Sequence, residues 1–355
     1  MSKNFRPDAL PLLIGSLPIS DHEEAIKLIL DYTPQIPLWA QLPVYKEEGM
    51  MNQFAPGLPG LVNKDGDVAV DISKPSFDEE VLAFYEEYME VSENKKNPDD
   101  SRFSLKPDTA KGFSVFMEHV KKLSPKPVAL KGQVTGPITF CTGVKDENGQ
   151  AIFYNEQLRD AAVKLLALKG AWQAREFKKT GAVPIIFFDE PVLAGLGSSE
   201  YISISNEDVA ACFKEVIDAV HEQGGLVGIH VCANTDWSIL LDSSVDIINF
   251  DAYSYFDKFI LYAEKIKTFL ESGRIIAWGI VPTLNPSDIE KEDVKSLLAQ
   301  LEEKFSQIDA LGIDRAKLLS QSLICPSCGT GSISLEHATR VLELTKELSI
   351  CVRNG

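Results

Sequence analysis

The chain has 355 residues, of which 45% are hydrophobic and 25% charged; these proportions are typical of a globular protein and exclude wholesale disorder. The 52 acidic residues outnumber the 35 lysines and arginines, and the formal net charge of −17 disfavours binding to nucleic acid. No apolar run reaches the roughly 18–20 residues of a membrane span, and the N-terminus lacks the apolar stretch of a signal peptide. We therefore expect a soluble, cytoplasmic protein that binds neither nucleic acid nor membranes.

Eight short apolar runs predict β-strands. They are Leu10–Leu17, Ile36–Leu42, Val128–Val134, Val183–Asp189, Leu226–Cys232, Asp246–Asp251, Arg274–Ile280 and Lys317–Ile324. Between them, apolar residues at three- and four-residue spacing predict helices. The clearest helices are Asn155–Lys179, Asn206–Gln223, Phe256–Ser272, Ile289–Ala310 and Leu335–Cys351.

Strands that are apolar throughout, each followed by a helix, are typical of a parallel sheet covered by helices. Eight such units predict an α/β fold, the (β/α)₈ TIM barrel, with residues 1–355 as a single catalytic domain. A doubly wound open sheet is the alternative, although no G-x-G-x-x-G motif follows the first strand.

Residues 44–107 interrupt this alternation after the second strand. They contain a predicted hairpin that turns at Lys64-Asp65-Gly66 and a charged segment, Glu87–Ser104, which we expect to be a solvated loop or a fraying helix end. So long an insertion predicts an excursion over one end of the barrel, and long loops of this kind often act as lids.

The six cysteines predict metal or thiol chemistry, because the chain shows no secretion signal that would favour a disulfide framework. They are Cys141, Cys212, Cys232, Cys325, Cys328 and Cys351. Cys141, Cys212 and Cys351 fall on helices or on a segment after a strand, where burial is the ordinary interpretation.

Barrel active sites lie at the carboxyl ends of the strands, so polar residues there are the candidates for chemistry. His230 and Cys232 are two residues apart on a strand and therefore face the same side. Cys328, after the eighth strand, completes a His-Cys-Cys set that suits zinc and leaves one position open for substrate. Cys325 is the competing ligand. We favour Cys328, because Gly329 beside it suits a loop that bends toward a site.

Carboxylates and a Gly-Ser turn mark other strand ends. Asp189 and Glu190 either cap the following helix or pair with a surface base, or they bind a cationic substrate group. Asp251 is a candidate fourth zinc ligand or a hydrogen-bond acceptor for the zinc-binding histidine. Gly15 and Ser16 offer backbone groups and a hydroxyl that suit a carboxylate or a sulfonate.

Together these motifs resemble the zinc-dependent thiol methyltransferases of the uroporphyrinogen decarboxylase and cobalamin-independent methionine synthase superfamily. The motifs are IGSLP, VTGPIT, FFDEPVLAGLG, GIHVCANT, DIINFDAY and CPSCG. HVCANT is similar to the H-x-C-G-N segment of methylcobamide:coenzyme M methyltransferases. DEPVL and PSCG look more like the catalytic domain of methionine synthase.

The resemblance implies a ligand set and a substrate site. The implied zinc ligands are His230, Cys232 and Cys328, and Asp251, at a position where the family carries Glu, is the candidate fourth ligand. Ser16 and the neighbouring backbone would hold the acid group of the substrate. Asp189 would hold the amine when the acceptor is homocysteine.

The implied reaction is methyl transfer from a methyl-corrinoid or a methylfolate to a small thiol, with homocysteine, which gives methionine, as the favoured acceptor. Zinc keeps the acceptor sulfur as a thiolate at neutral pH. Two-barrel methionine synthases of the superfamily use the extra barrel to help bind polyglutamylated folate. A single barrel therefore favours a methyl-corrinoid donor, free or on a corrinoid carrier protein.

Three alternatives remain open. The first is a methylcobamide:coenzyme M-type methyltransferase. The second is a uroporphyrinogen decarboxylase-like protein, which would need arginines around a tetracarboxylate, whereas only Arg6 lies close to a predicted carboxyl strand end. The third is a non-catalytic partner that binds zinc or a corrinoid.

Overall fold

A computed structural model describes residues 5–64, 66–199 and 201–354 of the chain. The strands in this part are β1 (Leu10–Pro11), β2 (Leu61–Lys64), β3 (Asp67–Val70), β4 (Ala129–Thr135), β5 (Val183–Asp189), β6 (Leu226–Val231), β7 (Ile247–Phe250), β8 (Ile275–Val281) and β9 (Ser322–Pro326).

The α-helices cover both the predicted helical segments and shorter stretches between them. They are α1 (His22–Tyr32), α2 (Met50–Phe54), α3 (Phe77–Ser92), α4 (Pro107–Lys122), α5 (Pro137–Gly143), α6 (Glu156–Lys178), α7 (Asn206–Glu222), α8 (Ser238–Leu241), α9 (Ala252–Phe259), α10 (Ala263–Glu271), α11 (Pro286–Lys291), α12 (Val294–Asp309), α13 (Arg315–Ser320) and α14 (Leu335–Asn354). None of the helices in the described ranges is long and apolar enough to cross a membrane.

Seven strands form one curled parallel sheet in the order β1-β9-β8-β7-β6-β5-β4. From β4 to β9 the spatial order follows the chain, as expected when each strand returns through a helix to the neighbouring position. The prediction of a parallel α/β sheet is confirmed. Because the strands are parallel, their carboxyl ends all lie at one edge, where the polar strand ends of the sequence are concentrated.

Residues 35–42 lie between the two edges of this sheet without forming a strand of it. The backbone N–H of Lys131 in β4 donates to the Pro37 carbonyl at 3.0 Å, and the N–H of Leu17 donates to the Gln41 carbonyl at 3.1 Å. The prediction of a regular second strand is therefore wrong. Pro37 has no N–H to donate, which limits the ladder this segment can form.

Among the other predicted strands, the first and the last differ most in length from the structure. The first extends only over Leu10–Pro11. The last begins at Ser322 instead of Lys317, because Asp314 accepts a hydrogen bond from the Lys317 N–H at 3.1 Å and caps the short helix α13. A local side-chain cap thus overrides the apolar run that suggested an earlier strand start.

Two predicted helices are each divided. The segment predicted as Phe256–Ser272 contains the end of α9, a 3₁₀ turn at Ile260–Tyr262 and α10. The segment predicted as Ile289–Ala310 contains the end of α11 and α12, which begins with a capping box between Asp293 and Ser296. Capping residues inside an apolar periodicity mark new helix starts that the periodicity alone does not reveal.

Alternate residues of the strands fill the interior of the curled sheet with apolar side chains. This inner cluster contains Leu10, Leu12, Ile14, Ile36, Ala129, Ile185, Phe187, Leu226, Ile247, Ile275, Ala277, Leu323 and Cys325. The opposite face of the sheet packs against the helices in a larger second cluster. Apolar side chains therefore pack the interior of the curled sheet.

Residues 44–107 fold into elements of their own. β2 and β3 pair antiparallel, as the hairpin prediction requires; Asp65, in the predicted turn, lies outside the described residues. The start of the segment contacts the main sheet, since the Thr135 hydroxyl at the end of β4 donates to the Met50 carbonyl at 2.7 Å. The segment 44–107 thus begins at the carboxyl edge.

The segment Glu87–Ser104 is more ordered than a solvated loop. Its first residues continue α3 to Ser92, and Phe103 is fully buried. Asp99 accepts a hydrogen bond from the Trp172 indole at 2.7 Å, which ties the segment to α6. Of the two expected alternatives, the helix end describes residues 87–92, and a solvated loop does not describe the rest because Asp99 pairs with Trp172 and Arg175, which are distant in the sequence.

Candidate metal centre

Three side chains from two strand ends meet at the carboxyl edge of the sheet. His230 belongs to β6, Cys232 follows its last residue, and Cys328 lies in the loop after β9. One ligand atom from each residue lies within 4.8 Å of the other two. The imidazole is 3% exposed, and both thiols are partly buried. The structure therefore brings together the three residues that the sequence selected as zinc ligands.

The two thiols of this group are in hydrogen-bond contact with each other. The hydrogen bond with Cys328, and to a smaller extent the one with His230, lowers the pKa of Cys232 to about 4. The same contact with Cys232 raises the pKa of Cys328. The contact therefore favours the thiolate on Cys232 and the protonated thiol on Cys328.

Asn249 of β7 is the hydrogen-bond partner of the His230 imidazole. The imidazole Nδ1 is hydrogen-bonded to Asn249 Oδ1, and Asn249 Nδ2 donates to the Ala277 carbonyl at 2.9 Å. Nε2 is buried without a hydrogen-bond partner among the described residues. Burial lowers the pKa of His230, but the contact with Cys232 and the charge of Asp189 outweigh it and raise the pKa.

The donor set fits a zinc ion on chemical grounds. Two cysteine sulfurs and one imidazole nitrogen are ligands that zinc prefers, and three protein ligands leave one position open. The orphaned Nε2 of His230 supplies a second observation, since a buried imidazole nitrogen without a partner is costly unless something binds it. His230, Cys232 and Cys328 would hold the ion.

Asp251 lies close by but serves first as a helix cap. Its Oδ1 accepts the Ser254 N–H at 2.8 Å, at the start of α9. Its Oδ2 is buried without a partner among the described residues, and burial raises the pKa of the carboxyl group. Asp251 is not part of the 4.8 Å group, and the role of acceptor for His230 belongs to Asn249.

Asp189 and Glu190 have separate environments. Asp189 ends β5 and pairs in register with His230; its Oδ1 is buried without a partner in the described part of the chain. Burial raises the pKa of Asp189, while Lys131 opposes the shift. Glu190 instead accepts the N–H groups of Ile138 at 2.9 Å and Thr139 at 2.8 Å. Of the two carboxylates, only Asp189 is available to a ligand.

Glu190 is a buried cap for the start of α5. The Thr139 hydroxyl also donates to it, at 2.7 Å. Burial raises the pKa of Glu190 to about 7, opposed by these three hydrogen bonds. Gly136 permits this arrangement, because a Cβ there would lie 2.2 Å from the Glu190 carboxyl carbon. The Asp-Glu pair of the sequence is therefore one candidate ligand-binding residue and one structural residue.

Gly15 and Ser16 lie between β1 and the loop that carries Cys328. The Ser16 hydroxyl accepts the Gly331 N–H at 3.2 Å, and a Cβ on Gly329 would lie 2.3 Å from this hydroxyl. A Cβ on Gly15 would lie 2.9 Å from the side-chain oxygen of Gln41. The small residues thus allow the first strand, the cysteine loop and segment 35–42 to approach one another closely.

Sequence reasoning missed three buried polar residues of the interior. Gln133 donates to the Trp39 carbonyl at 2.9 Å, which leaves its Oε1 buried without a partner among the described residues. Lys131 donates to the Ile14 carbonyl, and burial lowers its pKa to about 8. Asn249 is the third. For Lys131 and Gln133 the available signal was alternation, because they lie two residues apart on β4 and therefore face the same side.

The other cysteines lie elsewhere. Cys325 is fully buried within the apolar interior cluster, and burial raises its pKa. Cys141 and Cys212 are buried on α5 and α7. Cys351 is exposed on α14, so the expectation that it is buried is wrong. The contrast between Cys325 and Cys328 agrees with the preference for Cys328 as a ligand.

A groove of about 820 Å³ lies away from the candidate ligands. It runs between α3, α6 and α7, and Tyr88, Trp172 and Asp218 are among its lining residues. None of the candidate ligands lines it. The helices on the outer face form this groove, whereas the candidate site belongs to the carboxyl edge of the sheet.

Comparisons with known proteins leave the family of this chain open. Neither the known family models nor the curated proteins include a match. A solved structure of the tandem GH20 catalytic modules of the pneumococcal exo-β-D-N-acetylglucosaminidase StrH is similar with 12% sequence identity and a TM-score of 0.47, covering 96% of this chain and 85% of that one.

Proposed function

We propose that this protein is a zinc-dependent methyltransferase that transfers a methyl group from a methyl-corrinoid to a small thiol, with homocysteine as the favoured acceptor. The observation that carries the proposal is the group formed by His230, Cys232 and Cys328, whose ligand atoms lie within 4.8 Å of one another. Thiol methylation needs a sulfur nucleophile at neutral pH, and a zinc site with an open position supplies one.

The fold that underlies this proposal is a (β/α)₈ barrel in which residues 35–42 occupy the position of the eighth strand. The hydrogen bonds from Lys131 to Pro37 and from Leu17 to Gln41 support it, because they join the segment to the edge strand β4 on one side and to the chain that follows β1 on the other. Residues 44–107 follow this segment as an insertion. Its first part contacts the end of β4 through Thr135 and Met50, a place from which it can cover the site.

The protein groups each have one task in the reaction. His230, Cys232 and Cys328 would hold a zinc ion, which would supply the Lewis acidity that keeps the acceptor sulfur as a thiolate at neutral pH. Cys232 and Cys328 contribute negative charge to the centre, which favours a nucleophilic acceptor sulfur. Asn249 orients the imidazole of His230. Asp251 lies close to Cys232 with a free Oδ2 and would be the candidate fourth ligand of the ion.

The proposed step moves a methyl group from the cobalt of the corrinoid to the sulfur of the acceptor thiol. The acceptor thiol releases its proton to solvent. Its sulfur then forms a bond to the methyl carbon, while the carbon–cobalt bond breaks and both bonding electrons stay with the corrinoid. No further oxidant or reductant is required.

The surroundings of the centre favour an acceptor with an ammonium group. Asp189 Oδ1 and Gln133 Oε1 are both buried acceptors without a partner in the described structure. Buried acceptors of this kind suit a cationic donor and disfavour an anion. Gly15 and Ser16 provide backbone groups and a hydroxyl for the carboxylate of the same substrate.

The donor is a methyl-corrinoid, free or presented by a corrinoid carrier protein. The net charge of −17 disfavours a polyglutamylated methylfolate, whose repeated carboxylates would need a basic surface. Porphyrinogen decarboxylation is disfavoured by the position of Arg6. It lines a cleft with Gly273, Arg274 and Gln321 at the amino ends of the strands, opposite the candidate site.

A second candidate is a coenzyme M-type methyltransferase. The segment HVCANT, which carries two of the three ligands, favours it. Coenzyme M offers a sulfonate and no amine, so it would leave the Asp189 carboxylate facing an anion.

Metal analysis followed by a methyl-transfer assay tests the proposal. The purified protein should contain about one zinc per chain and methylate homocysteine with methylcobalamin as donor, faster than it methylates coenzyme M. A faster rate with coenzyme M would favour the second candidate. Stoichiometric zinc with no transfer to either thiol, from free or carrier-bound corrinoid, would favour a non-catalytic zinc-binding protein.

A further inference from the structure

Asn249 connects three strands of the sheet through a single side chain. It lies on β7 directly opposite His230 of β6 in the parallel register, and opposite Ala277 of β8 on its other side. The side chain is completely buried. A buried amide in this position must satisfy both its donor and its acceptor within the protein, and it does so with these two neighbours.

The orientation of the amide is determined by its second partner. The Ala277 carbonyl accepts hydrogen bonds and cannot donate one, so the NH₂ group of Asn249 must face it, at 2.9 Å. The amide oxygen then faces His230. An amide oxygen cannot donate, and the hydrogen of this bond therefore resides on Nδ1 of the imidazole.

We propose that Asn249 is a positioning residue of the metal centre, which holds the His230 imidazole with its proton on Nδ1 so that Nε2 presents its lone pair to the ion. The inference rests on the zinc site proposed above. Nε2 is the buried atom without a partner, and it belongs to the same residue that groups with the two thiols. Metal-bound histidines generally need such an acceptor behind them.

A neutral amide suits this place better than a carboxylate. The interior next to the centre already contains Asp189, Asp251 and the two cysteines. A further carboxylate behind the histidine would add negative charge in a buried region and would face the Ala277 carbonyl without a donor. Asn249 therefore fixes the imidazole without adding charge.

Two substitutions separate positioning from structural support. Asn249→Leu removes both hydrogen bonds, whereas Asn249→Asp keeps the acceptor for His230 and loses the donor to Ala277. We expect Asn249→Leu to weaken zinc binding about 10- to 100-fold in a chelator competition assay. We expect Asn249→Asp to unfold at a lower temperature in EDTA, yet to retain zinc affinity within a few-fold of the original protein.

Gln321→Leu is the matched control. Gln321 is a nearly buried amide at the start of β9 that donates to the Leu270 carbonyl at 2.9 Å, at the opposite end of the sheet. Its removal should lower the unfolding temperature and leave zinc affinity unchanged. Zinc affinity that follows the unfolding temperature in all three variants would show a structural role only and overturn the proposal.

The tautomer can also be observed directly. The chain has five histidines, so nitrogen NMR of histidine-labelled protein gives few signals. Recorded on both the zinc-loaded and the metal-free protein, it should show His230 with a slowly exchanging proton on Nδ1, lost in Asn249→Leu and kept in Asn249→Asp. A proton on Nε2 with none on Nδ1 would overturn the proposal. The metal-free measurement tests Asn249 even if the methyltransferase proposal fails.

Discussion

Asp189 and Glu190 are consecutive residues with buried carboxyl groups, but they serve different parts of the molecule. Asp189 pairs in register with His230 and has a free Oδ1, while Glu190 caps the start of α5 through Ile138 and Thr139. Successive side chains at the end of a strand point in opposite directions. The two carboxylates can therefore be tested separately.

We expect Asp189→Asn to raise the KM for homocysteine about 10-fold or more, because a charge-assisted hydrogen bond to the substrate amine is lost. The KM for coenzyme M should stay unchanged or fall. Steady-state kinetics with both thiols measures the effect, and thermal unfolding confirms that the variant is folded. An equal change with both acceptors would contradict amine recognition by Asp189.

Glu190→Gln should act on stability instead. One side-chain oxygen becomes an NH₂ group that faces an N–H donor at the start of α5, so we expect a loss of about 1–3 kcal/mol in the free energy of unfolding. Denaturant titration measures this loss. Zinc content and the KM of the folded protein should remain those of the original chain. A selective rise in KM without loss of stability would place Glu190 in the substrate site.

Cys232→Ser and Cys328→Ser should each lose zinc and methyl transfer together, because a serine hydroxyl is not deprotonated at neutral pH as a thiol is. Metal analysis and the transfer assay measure both properties. Cys325→Ala is the control, since Cys325 belongs to the apolar interior cluster. Loss of zinc in the Cys325 variant, with zinc retained in Cys328→Ser, would reverse the ligand assignment.

Gln133→Leu should raise the KM for homocysteine several-fold with a smaller effect on kcat, because it removes the free Oε1 that faces the interior. Gln173→Leu is a suitable comparison. Gln173 is also buried, but both of its amide atoms have partners. Its Nε2 donates to the Gln133 carbonyl at 3.0 Å, and its Oε1 accepts from the Trp39 indole at 2.9 Å. That variant should lose stability without a specific change in KM. Identical effects in both variants would argue against substrate contact by Gln133.

The buried Lys169, which lies far from the metal centre, should make the stability of the protein depend on pH. It is 2% exposed, and burial lowers its pKa to about 7, against the higher value of a lysine in the unfolded chain. The unfolded state therefore binds more protons between these two values. The energetic cost of burying Lys169 is fully present below pH 7 and decreases as the pH rises.

Lys169→Met should consequently raise the unfolding temperature, most at pH 6 and progressively less toward pH 9.5. Thermal unfolding at several pH values measures the difference from the original protein. Lys164→Met, in the same helix, is the control. Lys164 is ion-paired with Asp160 at 2.7 Å and Glu215 at 3.1 Å, so its loss should lower stability at pH 6. A gain for Lys169→Met that does not depend on pH would contradict the buried-cation interpretation.

Hydrophobic periodicity was sufficient to predict the parallel α/β sheet, because buried strands and amphipathic helices leave local patterns in the chain. β5 occupies the predicted range, and α6 and α7 differ from theirs by one residue at one or both ends. Periodicity failed where another local force decided the backbone. Pro37 limited the ladder of residues 35–42, and Asp314 capped a helix inside a predicted strand.

The sequence by itself also singled out His230, Cys232 and Cys328, since the first two lie two residues apart on a strand and face the same side, and the third follows the last strand and completes a zinc-type donor set. Only the tertiary structure decided which polar groups support them. The register of Asn249 with His230 and Ala277 identified it as the residue that supports the histidine. The hydrogen bonds from α5 to Glu190 showed that Glu190 is a structural residue. These decisions depend on contacts between residues far apart in the chain, which composition and spacing do not encode.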